Sequence, residues 1–429
     1  MSAIEEPVKE PKTPLLLQVL GPGLITGASD DDPSGIATYS QAGAQFGYAT
    51  AWTLIVTYPL MCGIQEISAV IGRVTGRGIA GNLVRHQPGA LVKLLVGLMI
   101  LANVANLGAD LGAMGTGLAL LIGGPSGFYV IAFAVISVLL EVFLRYARYA
   151  NVLKWLTLSL LAYVGSVLVV GVPWGEVGLA IVWPQIEPTA DYATIVVAVL
   201  GTTISPYLFF WQAGLEVEEQ QEVEEAKPLR IAPEQAPDAL RRIKWDTIVG
   251  MGLSNLIALC IMITTAATLH THGITDIQTA SQAAEALRPI AGKFAFVLFA
   301  LGIIGTGLLA LPTLAGSAAY ALGEAARWPV GLDQKPKRAK AFYGAIALAT
   351  GVGAAMNFVG IDPIKALIWS AVLNGVAAVP IMAMVVRMAT QTRIMGGFTV
   401  SRALALNGWV GTGFMALAVV VMFATMFAG

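Results

Sequence analysis

The chain has 429 residues, 56% of them hydrophobic and 12% charged, with a formal net charge of −1. Soluble globular proteins carry about 25% charged residues, so lipid rather than an internal core is the main apolar solvent for this chain. A near-neutral balance also excludes the basic surface of a nucleic-acid binder.

Residues 1–14 are polar and lack the apolar run of a signal peptide, which predicts a short cytosolic tail over 1–18. A membrane helix needs roughly 20 apolar residues. Eleven such runs follow, at 19–46, 49–74, 91–121, 128–144, 152–172, 192–215, 247–269, 294–322, 341–359, 364–388 and 404–427. The expected fold class is therefore an all-α polytopic membrane protein.

The basic residues orient it. With the N-terminus in the cytosol, Lys9 and Lys12 lie inside, followed by Arg73, Arg77, Arg85 and Lys93 after span two. Arg145, Arg148 and Lys154 follow span four, and Lys227, Arg230, Arg241, Arg242 and Lys244 follow span six. Arg327, Lys335, Lys337, Arg338 and Lys340 follow span eight, and Arg387, Arg393 and Arg402 follow span ten. That is 22 of the 25 Lys and Arg, with Arg288, Lys293 and Lys365 outside. The positive-inside rule then expects a cytoplasmic N-terminus and an extracytoplasmic C-terminus, in a cell membrane such as a bacterial inner membrane.

The longest loop expected is 216–242, opening with Glu216, Glu218, Glu219, Glu222, Glu224 and Glu225. It reads first as a solvated extension of span six and second as a cation-attracting vestibule. Cys62 and Cys260 lie in apolar spans without paired spacing and read as packing residues.

Two spans are interrupted. Span one carries SDDDPSG at 29–35 and span six carries TTISPY at 202–207. Interrupted helices at matching positions of two halves point to an inverted-repeat secondary transporter with a midplane site. Asp30, Asp31 and Asp32 sit in an apolar segment, where an ionised Asp costs about 2.5–3.5 kcal/mol by insertion scales. Pro33 removes a donor and disfavours helix at Asp32, and Gly35 adds freedom. A carboxylate beside freed carbonyls is a hard-oxygen cation site. In span six, Pro206 breaks the helix while Thr202, Thr203 and Ser205 bring hydroxyls and carbonyls. A simple proline kink is the alternative there. Asp30, Asp31 and, in span ten, Asn374 are cavity candidates only.

Gln65, Glu66, Asn103, Asn106, Asp110, Glu141 and Asn374 also lie at membrane depth, and each reads first as a helix–helix hydrogen bond. His270 and His272 form an H-x-H in an outer loop, more often a pair of exposed histidines than a metal pair. No His lies in mid-membrane for a proton relay.

The stretch GPGLITGASDDDPSGIATYSQAGAQFGY at 21–48 resembles the first helix of the natural resistance-associated macrophage protein (NRAMP) family of divalent-metal transporters, and QEISAVIGRVTGRGIA at 65–80 resembles its second. The resemblance implies a leucine-transporter-like fold. It would have inverted five-helix repeats at 19–172 and 192–388 and a further helix at 404–427, with spans one and six discontinuous. It also implies the site: the family's D-P-G-N motif reads Asp32-Pro33-Ser34-Gly35, and its M-P-H motif reads Ser205-Pro206-Tyr207. Gly35 stands at an Asn, Ser205 at a Met ligand and Tyr207 at a proton-transfer His. Asp110 matches an Asp of the family's proton path, and Ala113 stands at its Glu.

These departures resemble the NRAMP-related magnesium transporters. Oxygen ligands suit Mg²⁺, Ca²⁺ and Mn²⁺, whereas thioethers favour softer ions. The expected activity is import of Mg²⁺, with Mn²⁺ also carried, as partly hydrated ions without proton coupling. Asp32 would be the charged ligand, helped by Ser29, Thr202 and Ser205, with Gly35 making room and Pro33 and Pro206 holding the breaks. No cofactor is expected, and a monomer would suffice. The alternatives are a proton-coupled Mn²⁺ or Fe²⁺ importer and, from another class, a sodium-coupled organic-solute transporter. No paired nucleophile and base or phosphate loop supports an enzyme.

Overall fold

The computed structural model describes residues 22–143, 158–222, 226–332 and 334–428. The tail at 1–18, Arg145, Arg148, Lys154, Glu224, Glu225 and the first part of span five lie outside the described residues. Among those described there are helices and connecting turns and no strand.

Span one is α1 (Pro22–Asp30) and α2 (Pro33–Phe46); span two is α3 (Ala51–Thr75), followed by the short α4 (Ile79–His86). Span three is α5 (Gly89–Ile122) and span four is α6 (Ser126–Phe143). The end of span five is α7 (Leu161–Val169), with α8 (Trp174–Val182) after it. Span six is α9 (Ala190–Thr203) and α10 (Pro206–Glu222), and span seven is α11 (Ala236–Thr268). Two short helices, α12 (Ala280–Glu285) and α13 (Arg288–Ala291), lead to span eight, α14 (Ala295–Ala326). Then come α15 (Lys340–Met356), α16 (Pro363–Ala389), α17 (Thr392–Met395) and α18 (Arg402–Ala428).

Eight described helical stretches are long and apolar enough to cross a membrane. They differ from the expected eleven for local reasons. The helical path Pro33–Thr75 runs on for 43 residues through the turn at Gly47 and so joins the second half of span one to span two. The ninth expected span, α15, has only 17 residues, and only the last part of the fifth is described. Helix α8 was not expected from hydropathy; it turns 117° from α7. Pro173 stands at its N-cap, where a missing N–H costs nothing.

The loop expected at 216–242 is corrected. Helix α10 continues to Glu222, and α11 starts at Ala236 with Pro237 in its first turn. These polar turns project beyond the apolar span, so hydropathy alone stops short of them. Glu216, Glu218 and Glu219 on α10 are tied down. Glu216 is fully buried and its Oε2 lies 2.7 Å from Arg242, which also pairs with Glu219 at 2.7 Å. Glu218 accepts the Tyr320 hydroxyl and the Leu332 N–H. The helix does extend span six, as the first reading expected, but Glu216, Glu218 and Glu219 on it are paired rather than freely solvated.

Small residues let the helices close. A Cβ on Gly201 of α9 would stand 2.0 Å from Ala371 O of α16, and one on Gly27 of α1 would stand 2.3 Å from Gly250 O of α11. Thus α1 lies flat on α11 at the basic-loop end. The Gly23 N–H is held there by Asp246 Oδ2 at 2.6 Å. At the same end α3 stops at Gly76, whose φ of 64° is the left-handed cap that glycine adopts without strain. Cys62 and Cys260 are free and buried.

Candidate functional site

The first break is built by its own sequence. Helix α1 stops at Asp30, and Asp32 takes an extended backbone (φ −73°, ψ 168°) as the N-cap of α2. Its Oδ1 accepts the Gly35 N–H at 2.6 Å. Pro33 occupies the first helical position, where it has no hydrogen bond to lose. One oxygen of Asp32 is thus spent on holding the helix start, and Oδ2 faces the centre of the bundle.

The second break lies between Thr203 and Pro206. Ser205 folds back on its own helix end, donating its hydroxyl toward Gly201 O at 2.5 Å and Thr202 O at 3.0 Å. Those are the carbonyls that the break frees, so the Ser205 side chain serves the local turn. Tyr207, in the first turn of α10, links the breaks: its hydroxyl lies 3.5 Å from Ser29 O and 3.4 Å from Asp32 Oδ2. A Cβ on Gly35 would stand 3.1 Å from Thr202 Oγ1 and 3.3 Å from Asp32 Oδ1. Gly35 therefore leaves the gap between the breaks narrow but open.

Helices α5 and α16 complete the surroundings. Asn106 Nδ2 donates to Asp32 Oδ2 at 2.9 Å and to Asp110 Oδ2 at 3.0 Å. Asn374 Nδ2 donates to Asn106 Oδ1 at 3.0 Å. Asp32, Asn106, Asp110 and Asn374 are all buried. Ser34, beside the cap, hydrogen-bonds Leu367 O at 3.0 Å and so ties α2 to α16.

Asp30 and Asp31 belong to a second cluster. They converge on the Ser254 hydroxyl of α11, at 2.6 and 3.0 Å. One hydroxyl proton cannot serve both. Ala113 lies one turn beyond Asp110 and lines a cavity of about 190 Å³ with Ala37, Ser40 and Thr116. The connection at Ile277–Ala280 and the start of α16 form its far wall, so this void lies on the side of the breaks away from the basic loops.

The structure thus gathers Asp32, Gly35, Thr202, Tyr207, Ser29 and Asn374 around the two breaks, directs the Ser205 hydroxyl elsewhere and sets Asp30 and Asp31 apart. It adds Asn106, which the sequence offered only as helix–helix glue, and Ser254, which it did not single out. The spacing of Asn106 and Asp110 by four residues, which puts both on one helix face, was the available signal. Among the described residues no group of three or more His, Cys, Asp or Glu could hold a metal ion. A cation near Asp32 would thus rely largely on neutral oxygens. His270 and His272 spend a ring nitrogen each on backbone carbonyls, Ala44 O at 2.8 Å and Thr268 O at 2.5 Å, which fits ordinary loop histidines. Asn103 bonds Leu314 O at 2.9 Å and Ser317 at 2.7 Å, a plain helix–helix contact.

Known proteins resemble this chain in sequence and in fold. The chain is 26% identical over 394 residues to the divalent metal cation transporter MntH of Acidiphilium cryptum (strain JF-5), covering 89% of this chain and 84% of that protein. Its fold is similar to that of the Eremococcus coleocola manganese transporter solved with an aromatic bis-isothiourea substituted compound. The TM-score is 0.72 at 17% identity, over 98% of this chain and 90% of that one. It is also similar to MhsT in complex with L-phenylalanine, with a TM-score of 0.64 at 12% identity, over 94% and 98%. The fold is the leucine-transporter-like one. The family described as natural resistance-associated macrophage protein-like matches residues 23–425. With the match running from the first helix to the last, this multi-pass membrane protein belongs to the NRAMP family.

Proposed function

We propose that this protein imports divalent metal ions by alternating access, with Mg²⁺ as the main cargo and Mn²⁺ also carried, as partly hydrated ions and without proton coupling. The single observation behind this is the junction of the breaks. One carboxylate oxygen, Asp32 Oδ2, faces the centre, with the Ser29 carbonyl and Tyr207 hydroxyl nearby. No thioether or imidazole stands at Ser205 or Tyr207. Mg²⁺ sheds water reluctantly and is usually held through one or two carboxylates, which suits Asp32 with Thr202 and carbonyls reached partly through water. Ser205 would contribute by keeping the second break open. The relatives support metal cargo as a class: one is named a divalent metal cation transporter and another a manganese transporter.

The functional unit on this reading is a single chain. Its repeats are 19–172 and 192–388 with the extra helix at 404–427, and its basic loops face the cytosol of a bacterial cell. A negative-inside potential would drive entry by about 2.3 kcal/mol per charge per 100 mV.

Competition uptake of Mg²⁺, Mn²⁺, Ca²⁺ and Fe²⁺ into one liposome preparation tests the cargo. Half-maximal concentrations for Mg²⁺ and Mn²⁺ are expected to agree within about tenfold, as an oxygen-only site allows. A preference for Mn²⁺ or Fe²⁺ by several orders of magnitude would instead support a tight, dehydrating site and the proton-coupled alternative. Uptake of an organic solute with Na⁺ in place of divalent ions would refute metal cargo altogether.

A further inference from the structure

Asp32 and Asp110 are two buried carboxylates, and a single amide nitrogen reaches both. Asn106 Nδ2 lies 2.9 Å from Asp32 Oδ2 and 3.0 Å from Asp110 Oδ2. An amide nitrogen carries two protons, and both are committed. The positive end of the Asn106 amide therefore lies against the Asp32 oxygen to which a cation would bind. An arriving dication would face those protons, so the nitrogen must leave.

We infer that Asn106 is a cation surrogate: in the empty carrier its amide nitrogen bridges Asp32 and Asp110, and on ion binding the amide turns over and presents its oxygen to the ion or to the ion's water. This rests on the proposed divalent-cation cargo.

The surroundings fit two states. The last side-chain torsion of Asn is broad and roughly two-fold, and a half turn exchanges Nδ2 with Oδ1 almost in place. The outgoing oxygen is a hard ligand of the kind Mg²⁺ and Mn²⁺ take. The nitrogen then swings toward Asn374. In the present state Asn374 donates to Asn106 Oδ1 at 3.0 Å, while its own Oδ1 is buried with no hydrogen-bond partner. If Asn374 turns over in concert, that oxygen accepts the displaced Asn106 protons. Asp110 Oδ1 is also buried without a partner and can take a water of the ion's shell. Acceptors left over in the empty arrangement are thus used in the loaded one.

The consequence is kinetic. A carrier without a coupled proton must return empty, with both carboxylates still buried. A bridging amide can compensate them in that step without a proton. Net uptake needs the empty return, whereas isotopic exchange of Mg²⁺ across the membrane does not. In Asn106→Leu, net Mg²⁺ uptake at saturating ion is expected to fall about tenfold more than isotopic Mg²⁺ exchange, and acidification of both compartments should partly restore net uptake. A merely structural defect would slow both processes alike.

Asn374→Leu, which removes the back-up partner and leaves the carboxylates untouched, should show the same split to a smaller extent. It also serves if Asn106→Leu fails to fold. In the double variant the split should equal that of Asn106→Leu alone, because Asn374 acts through Asn106. Equal slowing of net uptake and exchange in both single variants, with Asp32→Asn inactive, would overturn the surrogate role and leave the proposed cargo standing. Wild-type liposomes that take up neither Mg²⁺ nor Mn²⁺ would overturn the cargo reading and the surrogate role with it.

Discussion

Asp32→Asn is expected to abolish uptake of every divalent ion while leaving the protein folded. The substitution removes the Asp32 charge from the junction of the breaks, yet it keeps an acceptor for the Gly35 N–H now held at 2.6 Å. Asn is as good an N-cap as Asp, so α2 should start at the same residue. Asp32→Ala should abolish uptake as well, and there the lost cap adds about 1 kcal/mol of destabilisation. Comparing the two separates charge from capping. Uptake into liposomes, normalised to the amount of monodisperse protein, is the measurement. Uptake by Asp32→Asn within a few-fold of wild type would remove Asp32 from the site.

The second large effect is expected at the basic-loop end. Glu216 is fully buried against Arg242, with the two at 2.7 Å. Arg242→Ala strands that carboxylate, and breaking a buried pair from one side typically costs about 3–5 kcal/mol. The pair joins the end of α10 to the first turns of α11. The damage should therefore show as a lower melting temperature in detergent and faster proteolysis of the connection at 226–235. Adding Glu216→Gln to Arg242→Ala removes the stranded charge, and most of the lost stability should return. Arg242→Ala melting at the wild-type temperature would mean that water already reaches Glu216 and that the pair contributes little.

Much of the fold was legible because lipid imposes a coarse rule. Every backbone group in the bilayer must be paired within its own helix, so long apolar runs carry most of the helix order. What escaped were features that the rule does not cover. The polar turns of α10 and α11 extend helices into water, where hydropathy is silent, and α8 is too short to register as a span. The breaks were legible because Pro33 and Pro206 are costly in mid-helix and Asp32 is costly in lipid. Less legible were the neutral groups. Asn106 is an inexpensive side chain in a helix and looks like ordinary glue from sequence; its double contact with Asp32 and Asp110 exists only once α2 and α5 are packed. Ser205 shows the opposite case, because its hydroxyl closes onto Gly201 O of its own helix end, a local contact that hydropathy and motif do not reveal. Asp30, Asp31 and Asp32 are neighbours in sequence, yet the break turns Asp32 toward α5 and leaves the other two on Ser254 of α11.

The most direct test is Mg²⁺ uptake by the full chain in sealed liposomes, with lumenal Mg²⁺ and lumenal pH followed together under an inside-negative potential. Mg²⁺ should enter, faster as the potential grows, with no matched change in lumenal pH. Acidification of the lumen in fixed ratio to metal entry, or entry of Mn²⁺ alone, would contradict an oxygen-lined, proton-independent Mg²⁺ site at Asp32.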